Sequence, residues 1–267
     1  MGVKMMKRKI VFFILLLACF VTILQSNRVS AGNTIMLLNS EYNARTACWD
    51  FTIKGNSNEK IYYTYKDEKL ENTCNYIKSG SKISVPASLI KNSYSLLKLC
   101  TYRNGKQCNY KIYNIANISR NTYINDLTKL CGNIFEVEDD DYTRAKKLYT
   151  WIGENCIYEY DGLTNHEYNA FYGRIAACSG FARLYKDMCM IAGLRCEYVS
   201  EETVDYKYKE WHAWNHLYLD NQLFIVDPTW SGVCFNNKVN YSHFCNNAVV
   251  NYVITDKYDL SSEDIYK

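Results

Sequence analysis

Apolar side chains recur at Phe181, Leu184, Tyr185, Met188, Ile191 and Ala192 within Ala176–Gly193. That spacing puts one stripe of a helix into a core, and Gly193 supplies its stop. From Trp211 to Trp230 the pattern changes to alternation on both sides of Asp220-Asn221, which predicts a two-strand hairpin with those residues as its turn. Asp227 then falls opposite Trp214, with His212 one diagonal step away on the same face. Diagonal neighbours on an antiparallel pair lie ~7–8 Å apart at the backbone, within side-chain reach. Two earlier segments, NTYINDLTKLCGNIF and DDDYTRAKKLYTWIGENCIYEYDG, are helical in pattern. Ala145, Leu148, Tyr149 and Ile152 form the stripe of the second, and Asp139, Asp140 and Asp141 precede it, where negative charge suits a helix start. Before Ile118 the pattern is different again. The runs ACWDFTIKG, IYYTYKD, KISVPASLI, YSLLKLCTY and CNYKIYNI read as short strands separated by Gly, Asn, Ser and Lys clusters, at the spacing of a β-sandwich.

The first residues belong to neither pattern. Lys4, Lys7, Arg8 and Lys9 precede an apolar run from Ile10 to Leu24, and Val29-Ser30-Ala31 offers small residues for cleavage, which reads as a secretory signal over residues 1–31. The run is short for a full span of ~20 residues. This segment carries five of the 31 basic residues and no acidic one, leaving 26 basic against 28 acidic in the remainder. The formal +3 of the whole chain therefore belongs to the export signal and gives no support to nucleic-acid binding. Membrane contact is expected only through that signal, and the protein is expected outside the cell or at its surface. Twelve cysteines fit an oxidising compartment. Without Cys19 their number is odd, which flags one free thiol among disulfides. The sharpest local expectation is a Cys100–Cys108 bridge across a hairpin centred on Arg103-Asn104-Gly105.

Cys178 stands at the start of the predicted helix, where backbone N–H groups have no partner and the helix dipole favours a thiolate. The same N–H groups can hold an oxyanion forming on a substrate carbonyl. A histidine that takes the thiol proton and a carboxylate that orients it complete a nucleophile–base–orienter set, and the hairpin offers His212 and Asp227. Trp211, Trp214 and Trp230 flank this set and are expected to include one or two walls of a substrate cleft. Nothing points to a metal or cofactor: HExxH and CxxC are absent. His212 and His216 would lie ~13 Å apart along a strand. His166 and His243 read as surface or structural residues.

ACSGFARLYKDMCMIAGL, HAWN and VDPTW, in that order, resemble the nucleophile helix, histidine strand and acid strand of the transglutaminase-like family of thiol acyltransferases and peptidases. The resemblance covers roughly residues 121–267, including the tail NYVITDKYDLSSEDIYK. The lead-in Gly173-Arg174-Ile175-Ala176-Ala177 is one residue longer than the family's usual one. The resemblance implies a papain-like transglutaminase core over 119–267 with a nucleophile helix packed on an antiparallel sheet. The strand pattern of 32–118 separately resembles a small immunoglobulin-like β-sandwich, so the whole is expected to be an α+β protein. The family resemblance also implies catalytic Cys178, His212 and Asp227, and a protein or peptide substrate, with cell-wall association as one setting. Acyl transfer to water would make a peptidase or amidase, and transfer to a lysine amine a cross-linking enzyme. The competing reading is an inactive binding module at the cell surface that retains the core.

Overall fold

The computed structural model describes residues 35–90, 95–159, 165–204, 209–232 and 239–247. The expected export segment and the whole of the tail lie outside them. Among the described residues no helix is long and apolar enough to cross a membrane.

Seven strands come first: β1 (Met36–Asn43), β2 (Cys48–Lys54), β3 (Ile61–Thr64), β4 (Tyr76–Ile77), β5 (Lys82–Pro86), β6 (Leu96–Arg103) and β7 (Lys106–Asn114). They form two antiparallel sheets, ordered β1-β2-β5 and β4-β3-β6-β7. Period-two alternation turns Trp49, Phe51 and Ile53 of β2 inward with Ile83 and Val85 of β5, and Ile61, Leu97 and Leu99 of the second sheet join the same core. Between Trp49 and Phe51, buried Asp50 accepts a hydrogen bond from Ser84 Oγ at 2.6 Å. Pro86 closes edge strand β5, where a missing N–H does no harm.

The β6–β7 turn at Asn104-Gly105 has both residues at positive φ (49° and 74°), as a tight hairpin requires. The expected Cys100–Cys108 bridge does not form across it. A register step between Leu99 and Thr101 sets Cys108 opposite Thr101. Cys100 is buried, and half-buried Cys108 lies against the Lys106 carbonyl instead. All ten cysteines among the described residues are free thiols.

Three helices follow: α1 (Ile115–Ile134), α2 (Asp141–Asn155) and α3 (Cys178–Ile191). Helix α1 starts ahead of the composition change near Ile118, running straight on from β7. Its cap is Asn114, whose side chain accepts from Asn117 N–H. The acidic run before α2 caps that helix. Asp140 accepts from Thr143 N–H at 2.7 Å, and Asp139 accepts from Glu136 N–H and pairs with Lys147 at 2.9 Å. Gly153 of α2 lies so close to the Ser231 carbonyl that an added Cβ would stand 2.4 Å from its oxygen. A π-helical turn at Asn169–Gly173 and left-handed Arg174 (φ 59°) lead into the segment before Cys178. They deliver β9 (Ile175–Ala176) to a short parallel pairing with β8 (Ile157–Tyr158).

The third sheet, β10-β11-β12-β13, is antiparallel and comprises Arg195–Val204, Lys209–Leu219, Gln222–Val226 and Asn246–Asn247. Helix α3 buries Phe181, Leu184, Tyr185, Met188 and Cys189. Burying each large apolar side chain contributes roughly 1.5–3 kcal/mol before entropy is counted. Helix α3 packs against β10 and β11, and its buried residues are continuous with the core of the N-terminal sheets. Gly193 (φ 76°) ends it, with Leu194 N–H returning to Cys189 O at 2.9 Å.

Candidate active site

Helix α3 begins at Cys178 because Ala177 is extended (ψ 176°). Ala177 carries no side-chain acceptor, so the first-turn N–H groups stay available. Cys178 is half-buried, and backbone N–H groups of Ser179 and Ala213 face its sulfur. Ala213 is also the neighbour of His212 on β11, so one strand supplies both the imidazole and an amide to the thiol.

The hairpin places the other two groups. Asp220 and Asn221 form its turn at φ 49° and 63°. Pairing then runs from Leu219 opposite Gln222 to Asn215 opposite Val226. One residue beyond the ladder, Asp227 leaves the strand into a 3-10 turn at Pro228–Trp230. Its N–H donates to His243 O at 2.9 Å, and its Oδ1 accepts from Thr229 N–H at 3.0 Å. Oδ2 remains, 2.6 Å from His212 Nε2. With Nε2 held there, Nδ1 is the ring nitrogen left for the sulfur, which is hydrogen-bonded to this ring. Asp227 is 1% exposed at its side chain and His212 24%, so the ring is the accessible end of the pair.

The electrostatics follow from these contacts. Burial by itself would push the Cys178 thiol up. The hydrogen bond and positive charge of His212, with the Ala213 and Ser179 N–H groups, outweigh it and hold the thiol below its ordinary range. Burial likewise works against a charged His212, but Asp227 and the adjacent sulfur overcome it and push the imidazole up to about 10. The favoured state is a thiolate beside an imidazolium, backed by a carboxylate.

Of the three tryptophans, Trp214 is buried with its ring near-parallel to His212 (centroids 6.0 Å apart, planes at 21°), fixing the ring's tilt. Half-buried Trp230 has its ring 5.7 Å from that of His243. Trp211 does not join them. It is 69% exposed, because adjacent residues of a strand point to opposite faces. His243 is no isolated surface histidine, since its carbonyl fixes the Asp227 backbone. Its ring, held below its usual range mainly by burial, feels the charges of both Asp227 and His212. Fully buried Asn215 donates to Ala182 O of α3 at 2.9 Å, tying β11 to α3. Asn215 closes the HAWN segment, but neither its contact with α3 nor that of His243 with Asp227 has a local signal, because both join segments remote along the chain. His166 stacks by Tyr168. His216 faces Glu197 across the β10–β11 ladder.

A model of the Transglutaminase-like superfamily matches residues 128–228. Kyphoscoliosis peptidase of Mus musculus is 26% identical over 129 residues, 43% of this chain and 20% of that protein. The Homo sapiens protein of the same name is 25% identical over 118 residues, 39% of this chain and 18% of its own. The chain thus spans about a fifth of the length of the curated relatives it matches. Among solved structures, a TGase aligns over 70% of this chain and 55% of its own at 15% identity, with a TM-score of 0.37. The periplasmic domain of TgpA from Pseudomonas aeruginosa aligns over 76% of each chain at 9% identity, with a TM-score of 0.34.

Proposed function

Taking residues 128–228 as a domain of the transglutaminase-like superfamily, a family of cysteine enzymes, we propose that this protein cleaves or transfers amide bonds through a thioester on Cys178. The observation that carries the reading is the contact of His212 with both the sulfur and, at 2.6 Å, the Asp227 carboxylate.

The Cys178 thiolate attacks the amide carbonyl carbon, forming a C–S bond and moving the carbonyl electrons onto oxygen. That oxyanion is held by the N–H of Cys178 and a second donor. Protonated His212 gives its proton to the departing nitrogen as the C–N bond breaks, leaving the acyl group as a thioester. Neutral His212 next takes a proton from water or an amine, which attacks the thioester and expels the thiolate. Asp227 orients the ring and balances its charge throughout. Water as acceptor gives a peptidase or amidase, and a lysine amine gives a cross-linker.

Residues 1–31 serve, in this proposal, as an export signal cleaved after Ala31. The β-rich residues 32–118 act as an accessory immunoglobulin-like domain beside the enzyme, for which their strand pattern is the support. Exposing the protein to a peptide library and recording intact mass tests the chemistry. An acyl adduct on the wild type that is absent from Cys178→Ala is expected. Turnover by Cys178→Ala at the wild-type rate would overturn the proposal.

A further inference from the structure

The outer face of α3 carries a second constellation. Ser179, Arg183 and Lys186 are spaced i, i+4, i+7, so they form one stripe starting beside the thiol. The stripe borders a cleft of about 250 Å³ lined by Arg120, Glu167, Arg183, Lys186, Asp187 and Tyr198. At its upper end Tyr198 Oη lies 3.3 Å from Ser179 Oγ, and the Arg183 guanidinium carbon lies 4.5 Å from the Tyr198 ring centre.

The charges inside the cleft do not cancel. Arg120 is committed: both its terminal nitrogens bond the Asp187 carboxylate at 2.7 Å, and Nη1 lies 3.5 Å from Glu167. Asp187 is nearly buried, so that pair is a fixed floor. Arg183 and Lys186 are exposed, and among the described residues neither has a carboxylate within ion-pair distance. The lining thus holds three cations against two anions, with the two free cations side by side at the mouth. A guanidinium resting on an aromatic ring keeps its in-plane N–H fork for a carboxylate, which takes it two-pronged.

We propose that this cleft is a substrate subsite for an acidic side chain of a peptide or protein, its carboxylate held by Arg183 and Lys186. This rests on the reading of Cys178 as the acylated thiol. Arg183 and Lys186 stand ~7.5–12 Å along the helix axis from Cys178 and are turned about 140° and 80° round it. An extended peptide covers the axial part alone in ~2–4 residues. The enzyme then selects amide bonds with Asp or Glu a few residues away, and Arg183 and Lys186 set specificity without touching the reacting atoms.

The test uses capped peptides with glutamate at alternate positions and their glutamine counterparts. Full-length Cys178→Ala is titrated with each and followed by NMR, and wild-type Cys178 is alkylated with iodoacetamide with and without peptide. Saturable shifts at Arg183, Lys186 and Tyr198 are expected with the glutamate peptide and not with the glutamine one. The doubly reversed Arg183→Glu, Lys186→Glu variant should lose them. Saturating glutamate peptide should slow alkylation at least about fivefold, by occupying the path to the sulfur. Equal binding of the two peptides, undiminished binding by the reversed variant, or binding that leaves the thiol unprotected would each overturn the subsite. A sluggish thiol before any peptide is added counts instead against the thioester chemistry and leaves the binding arms readable.

Discussion

At the scale of residues, the chemistry of the site reduces to where one proton sits. His212 is pushed up to about 10 from an ordinary 6.5, so the stabilisation its charge supplies is whole below about 6.5 and is lost as pH rises through about 10. The alkaline limb of activity should fall in that window. Asp227→Asn removes the charge that raises the imidazole. The limb should move toward 6.5 and turnover should drop by roughly 10³–10⁴, read from pH–rate profiles of the two proteins. An unchanged limb would mean that Asp227 does not govern His212. The approach of His212 to Asp227 is legible in the sequence, because a two-residue turn at Asp220-Asn221 fixes which hairpin residues face each other. The roles of His243 and Asn215 are not, since a carbonyl or an amide aimed at a distant segment leaves no periodic trace.

At the scale of elements, the site depends on how tightly three pieces approach. Gly153 of α2 abuts Ser231, just past the turn that Asp227 opens. Gly153→Ala should lower stability by about 1–3 kcal/mol through overpacking, and should slow turnover by displacing the acid. Denaturant midpoints alongside kcat/KM check both. Asn215→Ala should cost about 1–3 kcal/mol by stripping the Ala182 and Glu197 carbonyls of their shared donor. The period of 3.6 residues predicts α3 and the stripe of α2, and Asp140 shows that the acidic run is a cap. The π-helical turn before Cys178 has no such signature. It ends on Arg174, whose backbone is left-handed.

At the scale of the whole molecule, residue pattern separates a β-rich first part from a helical second, yet packing joins them: α1 continues from β7, and one buried cluster includes residues from Ile35 to Phe244. Composition along a chain reports element type, whereas continuity of a core depends on contacts it does not encode locally. Count and parity likewise favour bridges, whereas the ten described cysteines are free thiols and the Leu99/Thr101 register step sets Cys108 opposite Thr101. If export cleaves after Ala31, intact mass of the secreted protein should begin at Gly32. A retained N-terminus would remove that proposal. Activation of the Cys178 thiol by His212 is tested by site-resolved iodoacetamide labelling of every cysteine in the whole chain across pH, for wild type and His212→Ala. Cys178 should be alkylated well below pH 9, at about pH 6, where ordinary thiols are protonated. In His212→Ala its labelling should retreat toward the ordinary range. Cys178 labelling at about pH 6 no faster than half-buried Cys48, Cys74 or Cys108, or unchanged by loss of His212, would contradict it.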